Sequence, residues 1–162
     1  MRPEYIVVHH SLTKDGQTVN WEAIRRYHVE TNGWSDIGYH HGIERVGGVL
    51  VAMRGRSETQ PGAHTKEMHM NSRSLGVCVV GNFDLAPPDI ETLMFLRDLC
   101  FAGMVNHRIP ASNVIGHRDA GRMAGHDWRR GQFKTCPGRL FPMNSLRDML
   151  SGKIDTEWRV TT

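Results

Sequence analysis

The chain lacks most of the devices that hold a protein together, or anchor it, from outside its own core. It has three cysteines in 162 residues, which cannot all pair. One of them, Cys78, sits in the apolar run Leu75-Gly76-Val77-Cys78-Val79-Val80, where a small buried thiol is expected. No disulfide is predicted. No apolar run approaches the roughly 20 residues of a membrane helix. Met1-Arg2-Pro3-Glu4-Tyr5 has none of the hydrophobic segment of a secretory leader, so the expectation is a soluble product made in the cytoplasm. No long block of like charges marks a nucleic-acid tail, and no repeat, linker or low-complexity segment divides the chain.

What is present is a hydrophobic content of 39%, enough at this length for one domain to bury its own core without cross-links. Residues 1–162 are therefore read as a single domain, with its core from about residue 5 to residue 150. The formal charge of +3 is mild. It is concentrated between His117 and Arg139, where Arg118, Arg122, Arg129, Arg130, Lys134 and Arg139 face only Asp119 and Asp127, and such a local excess would suit an anionic substrate.

Tyr5-Ile6-Val7-Val8-His9 is short and β-branched, which predicts a buried strand delivering His9 at its end. Ser11 to Thr18 reads as a polar loop. Asn20 is the expected N-cap of a helix from Trp21 to Thr31, with Asn32-Gly33 as its stop. Two strands, His40 to Val46 and Val49 to Arg54, are joined by Gly47-Gly48, a strong hairpin signal. Gly55 to Arg73 reads as a long surface loop able to wall a cleft, and Leu75 to Val80 as another buried strand. The longest helix, about Asp89 to Asn106, carries too many apolar residues for one stripe and is expected to pack on more than one side. A short strand, Asn113 to Gly116, ends at His117, and Pro142 to Leu150 forms the last helix. Strands interleaved with helices predict an α/β domain, a central mixed β-sheet flanked by helices.

Three residues from opposite ends of the chain carry the chemistry. His9 and His117 each follow a β-rich run, and Cys136 lies in Lys134-Thr135-Cys136-Pro137-Gly138. Neutral imidazole and thiolate suit Zn²⁺, and two histidines with one cysteine leave a tetrahedral ion one position for water. That open position separates a hydrolytic site from a structural one. A structural zinc clip takes its ligands in short local pairs, whereas these three meet only after folding. Zinc lowers the pKa of water and polarises carbonyls, so a nucleophile is available without a serine or cysteine nucleophile. No glutamate stands beside these ligands as it does in His-Glu-x-x-His enzymes.

Further motifs accompany these in order: Ile6-Val7-Val8-His9-His10-Ser11, Ile24-Arg25-Arg26-Tyr27-His28 with Gly33-Trp34, Asp36-Ile37-Gly38-Tyr39-His40, Gly62-Ala63-His64-Thr65, Ser74-Leu75-Gly76-Val77-Cys78-Val79-Val80-Gly81 and Gly116-His117-Arg118-Asp119. In them the chain resembles the type 2 N-acetylmuramoyl-L-alanine amidases, the fold shared by T7 lysozyme and the peptidoglycan recognition proteins, from about Tyr5 to Leu150. The resemblance implies one Zn²⁺ held by His9, His117 and Cys136, a catalytic Tyr39 and Lys134, and substrate contacts by His64 and Asn71. His10 rivals His9, but neighbours on a strand point to opposite faces, and the family register selects His9. His28, His69, His107 and His126 are read as structural, and Cys100 as core.

The activity so implied is cleavage of the amide between the lactyl group of N-acetylmuramic acid and L-alanine of the stem peptide. The implied partner is bacterial peptidoglycan, with anionic cell-envelope polymers as further candidates, no nucleic acid, and a monomeric state. The corresponding setting is a phage or prophage endolysin, held in the host cytoplasm until another factor releases it to the wall. The chain departs from T7 lysozyme in a longer His64–Ser74 segment, with Glu67-Met68-His69-Met70 inserted, and a longer stretch from Ala120 to Gln132. Three other functions stand against this one: a peptidoglycan-binding module without catalysis, an amidase that also inhibits a phage RNA polymerase, and a cytoplasmic recycling amidase. Non-catalytic relatives typically lose the ligand cysteine, and recycling amidases carry aspartate there; Cys136 is present.

Overall fold

The fold is a computed structural model that describes residues 1–13 and 20–153, so most of the expected loop from Ser11 to Thr18 and the end of the 1–162 domain lie outside the described residues. Five strands, β1 (Tyr5–His10), β2 (His41–Val46), β3 (Val49–Arg54), β4 (Ser74–Val79) and β5 (Val114–Gly116), form one mixed sheet in the order β3-β2-β4-β1-β5. β1 runs parallel to both β4 and β5, and β2 is parallel to β4 and antiparallel to β3. A strand covered on both faces reads as a continuous apolar run, which is why Ile6, Val7 and Val8 are all buried. The β2–β3 hairpin turns on Gly47 and Gly48, with φ of +57° and +86°, the two left-handed positions that a tight hairpin turn favours.

The two faces are unequal. Ile6 and Val8 of β1 join Leu75 and Val77 of β4 in the main core, covered by α3 (Ile90–His107) and α5 (Met143–Leu150). Val7 points the other way, to Met70, Ile115 and Ala120, under α2 (Met70–Arg73) and α4 (His117–Met123). This thinner face is where His9 emerges, because it shares the parity of Val7. α1 (Trp21–Arg26) covers the β2 end of the same sheet, begins at the Asn20 cap and continues as a π turn over Tyr27–Thr31, so the expected helix to Thr31 is present in two pieces. The Trp21 ring lies so close to Gly42 that a Cβ there would be 2.2 Å from it.

Three elements differ from expectation. α3 buries one stripe, Leu93, Leu96, Cys100 and Gly103, while Ile90, Phe101 and Val105 are exposed, so it packs on one side and not several. Its surplus of apolar residues lies on the solvent face, and composition alone does not distinguish that from burial. The long loop from Gly55 to Arg73 contains a 3₁₀ turn, Glu67–His69, and the single turn α2. α4 was not anticipated: its seven residues include Gly121 and are too few to display a helical period. Its first turn is held by Asp119, whose carboxylate accepts the N–H of Gly116 at 2.9 Å.

Candidate functional site

Strand parity separates the two adjacent histidines. His10 accepts the Phe83 N–H at 3.2 Å and stacks on that ring, on the main-core side. His9 stands on the opposite face, fully buried, its ring 4.8 Å from that of His117 and 5.1 Å from that of Tyr39. β1 and β5 are neighbours with Val8 opposite Gly116, so the residues that follow, His9 and His117, leave the sheet edge side by side.

Cys136 reaches them through a loop tied at several points. The Asp84 carboxylate accepts the Thr135 hydroxyl and the Arg139 N–H, each at 2.7 Å. Arg118 donates to the carbonyls of Gly138 and Phe141, and its own N–H donates to the Cys136 carbonyl at 2.7 Å. Asp84 and the structural part played by Arg118 escaped the reading of the sequence, since neither carries a local signal of what it will clamp. As a result Cys136 Sγ lies 3.5 Å from His9 Nδ1, and one donor atom from each of His9, His117 and Cys136 lies within 4.8 Å of the others.

That set fits Zn²⁺. Nitrogen and sulfur donors about 2.0–2.3 Å from a tetrahedral ion stand about 3.5 Å apart, the separation of His9 Nδ1 and Cys136 Sγ. Burial keeps both imidazoles neutral, as ligation requires: His9 is lowered well below its usual range, and His117 is lowered to about 4, with the Lys134 charge reinforcing the shift and Glu67 opposing it. Burial also pushes the Cys136 thiol up to about 12, so at neutral pH it keeps its proton until a bound metal ion displaces that proton to solvent.

The three donors line a cavity of about 420 Å³ together with Tyr39, Lys134, His64, His28 and Trp34. Burial raises the Tyr39 phenol well above 10, with Cys78 and Cys136 adding to it, so it keeps its proton. His28, read as structural, accepts the Gly38 N–H at 3.1 Å and packs on Trp34, and it also forms part of the cavity wall. His64 Nδ1 lies 3.1 Å from His9 Nε2 and backs that ring; its own Nε2 is buried without a partner among the described residues. Asn71 does not line this cavity. Its side-chain oxygen accepts the N–H groups of His64 and Thr65, each at 2.7 Å, which shapes the wall from behind. Away from the site, His126 stacks on Phe133, and His107 pairs with Glu58 at 2.6 Å.

Two buried imidazoles and a thiol lining one cavity define the class, an α/β domain whose sheet end carries a donor set that could hold a metal ion. The sequence comparison places it more narrowly: residues 1–139 match the family model described as N-acetylmuramoyl-L-alanine amidase, and the chain belongs to that family. It is 46% identical over 81 residues to the endolysin of Enterobacteria phage T3, a match covering 50% of this chain and 50% of that protein. The chain thus spans about half the length of that curated relative. The solved structure of the N-acetylmuramoyl-L-alanine amidase LysC from Clostridium intestinale superposes with a TM-score of 0.74 at 27% identity, covering 92% of this chain and 85% of that one. Peptidoglycan recognition protein-LE, solved in complex with tracheal cytotoxin, a monomeric diaminopimelic acid-type peptidoglycan, superposes with a TM-score of 0.67 at 25% identity, over 89% of this chain and 79% of that one.

Proposed function

We propose that this chain is a zinc-dependent N-acetylmuramoyl-L-alanine amidase that lyses bacterial cell walls. The observation that carries the reading is the convergence of His9, His117 and Cys136, from β1, the start of α4 and a clamped loop, on one cavity that also holds Tyr39 and Lys134. The metal, when bound, supplies Lewis acidity, lowering the pKa of water and polarising a carbonyl. Everything else falls to the protein. His9, His117 and Cys136 hold the ion. Tyr39 keeps its O–H and donates it toward the oxygen of the scissile amide as negative charge builds there, and the Lys134 ammonium, on the cavity rim, stabilises the same charge. Water adds across the C–N bond, leaving a carboxylate on the lactyl group and a free amine on L-alanine.

His28, Trp34 and His64 supply the walls against which a stem peptide and its sugar lie, and Asn71 contributes by holding the His64–Thr65 segment in place. No helix among the described residues is long and apolar enough to cross a membrane. The proposed setting is an endolysin acting as a one-domain monomer, kept in the host cytoplasm until another factor admits it to the peptidoglycan. The excess of arginines after His117 would favour anionic envelope polymers. The test is digestion of purified peptidoglycan with labelling of new amino groups, run with chelator and again with zinc restored. New N-terminal L-alanine that vanishes with the chelator and returns with zinc supports the reading; binding with no new amine overturns it in favour of a recognition module.

A further inference from the structure

Glu67 has no part in the chemistry above, and it opens the 3₁₀ turn Glu67–His69 between β3 and β4. Only 10% of its side chain is exposed, and Oε2 lies 3.3 Å from Nε2 of His117, whose side chain is 7% exposed. A carboxylate at that depth is costly unless it is paired. Among the described residues His117 is its hydrogen-bond partner. The backbone that presents it is unusual as well: Met68 and His69 follow in succession with φ of 52° and 57°, left-handed conformations that residues with a Cβ adopt reluctantly. Strain of that kind persists where surrounding contacts demand it.

We propose that Glu67 is a positioning residue for the metal centre: its buried carboxylate accepts the Nε2–H of His117, which fixes the tautomer of that ring and leaves Nδ1 to face the ion. The proposal rests on the zinc reading above. His9 is arranged in the same sense, with Nδ1 toward Cys136 and Nε2 backed by His64. Glu67 therefore gives His117 the outer partner that ligating histidines commonly have. It also balances charge. Zn²⁺ with one thiolate and two neutral imidazoles is a buried net cation, and the Glu67 carboxylate offsets it from behind one ligand.

The test compares zinc affinity, by competition with a chromophoric chelator, for the unaltered chain, Glu67→Ala, Glu67→Gln and Cys136→Ala. Thermal melting of each metal-free form and the absorption spectrum of each Co²⁺-substituted form are read alongside. Glu67→Ala is expected to weaken zinc binding about 10–100-fold and to shift the cobalt bands. Glu67→Gln, which keeps an acceptor oxygen but no charge, should fall between. Zinc affinity and cobalt spectra unchanged within twofold in both variants would overturn the proposal, whatever happened to melting, because a purely structural carboxylate would move only the melting. An unaltered chain that holds zinc no more tightly than Cys136→Ala would instead overturn the zinc reading, and the role of Glu67 with it.

Discussion

Nδ1 of His9 lies 3.5 Å from Sγ of Cys136 across 127 residues of sequence, a spacing that suits two ligands of one tetrahedral ion. His117 completes the set. Cys136→Ala and His117→Ala are each expected to remove zinc binding and peptidoglycan hydrolysis together. Metal content after dialysis, measured beside activity, checks this; a variant without zinc that still cleaves would contradict it.

Tyr39 and Lys134 line the same cavity but are not among the three donors. Tyr39→Phe and Lys134→Ala should keep one zinc per chain while turnover falls about 100- to 1,000-fold, the usual cost of losing a donor to a developing oxyanion. Steady-state rates at saturating substrate test this. A fall in zinc occupancy parallel to the fall in rate would move these residues from chemistry to metal binding.

The thiol of Cys136 is pushed up to about 12 by burial, whereas the His117 imidazole is already neutral at pH 7, being lowered to about 4. Zinc binding at neutral pH should therefore release at least one proton per ion, one from the cysteine and any excess from water on the metal. Calorimetric titration in two buffers of different ionisation enthalpy counts it. No proton released would mean that the thiol is not a ligand.

Acid should destabilise the metal-free protein before its carboxylates titrate. His9, His64 and His117 all have folded pKa values below the ordinary histidine range of about 6.5, chiefly through burial, with His64 lowered to about 3 and His117 to about 4. The unfolded chain then binds more protons than the folded one below about pH 6.5, so the stability from these groups is complete above that pH and is lost as pH falls toward about 4. Melting temperature should hold nearly level from pH 7.5 to about 6.5 and decline from there to pH 4.5. A flat profile from pH 7 to pH 5 would contradict it.

Gly76 sits in β4 directly under His64, where an added Cβ would lie 2.5 Å from the ring. Gly76→Ala should cost about 1–3 kcal/mol through overpacking and displace His64 from behind His9. Denaturant unfolding reads the first effect, and zinc affinity the second.

Much of this geometry is legible in sequence because it depends on periods and ends. Strand alternation puts His9 and His10 on opposite faces, the family resemblance picks His9, and the short runs before His9 and His117 place both at one sheet edge. What was not legible depends on contacts between distant segments. α4 is too short to show a period, and the exposed Ile90, Phe101 and Val105 of α3 look the same in composition as buried ones. Nothing local in the sequence marks Glu67 or Asp84; the fold sets one against His117 and the other under the Cys136 loop. The bonds by which the Asn71 side-chain oxygen holds the backbone of His64 and Thr65 likewise have no local sequence signal.

The most direct test of a single-zinc amidase is to strip the protein of metal, add zinc in fractional equivalents and follow the appearance of N-terminal L-alanine from purified peptidoglycan. Activity is predicted to rise linearly from near zero and to level off at one zinc per chain. Full amide cleavage by the metal-free protein, or cleavage confined to the glycan strands, would contradict it.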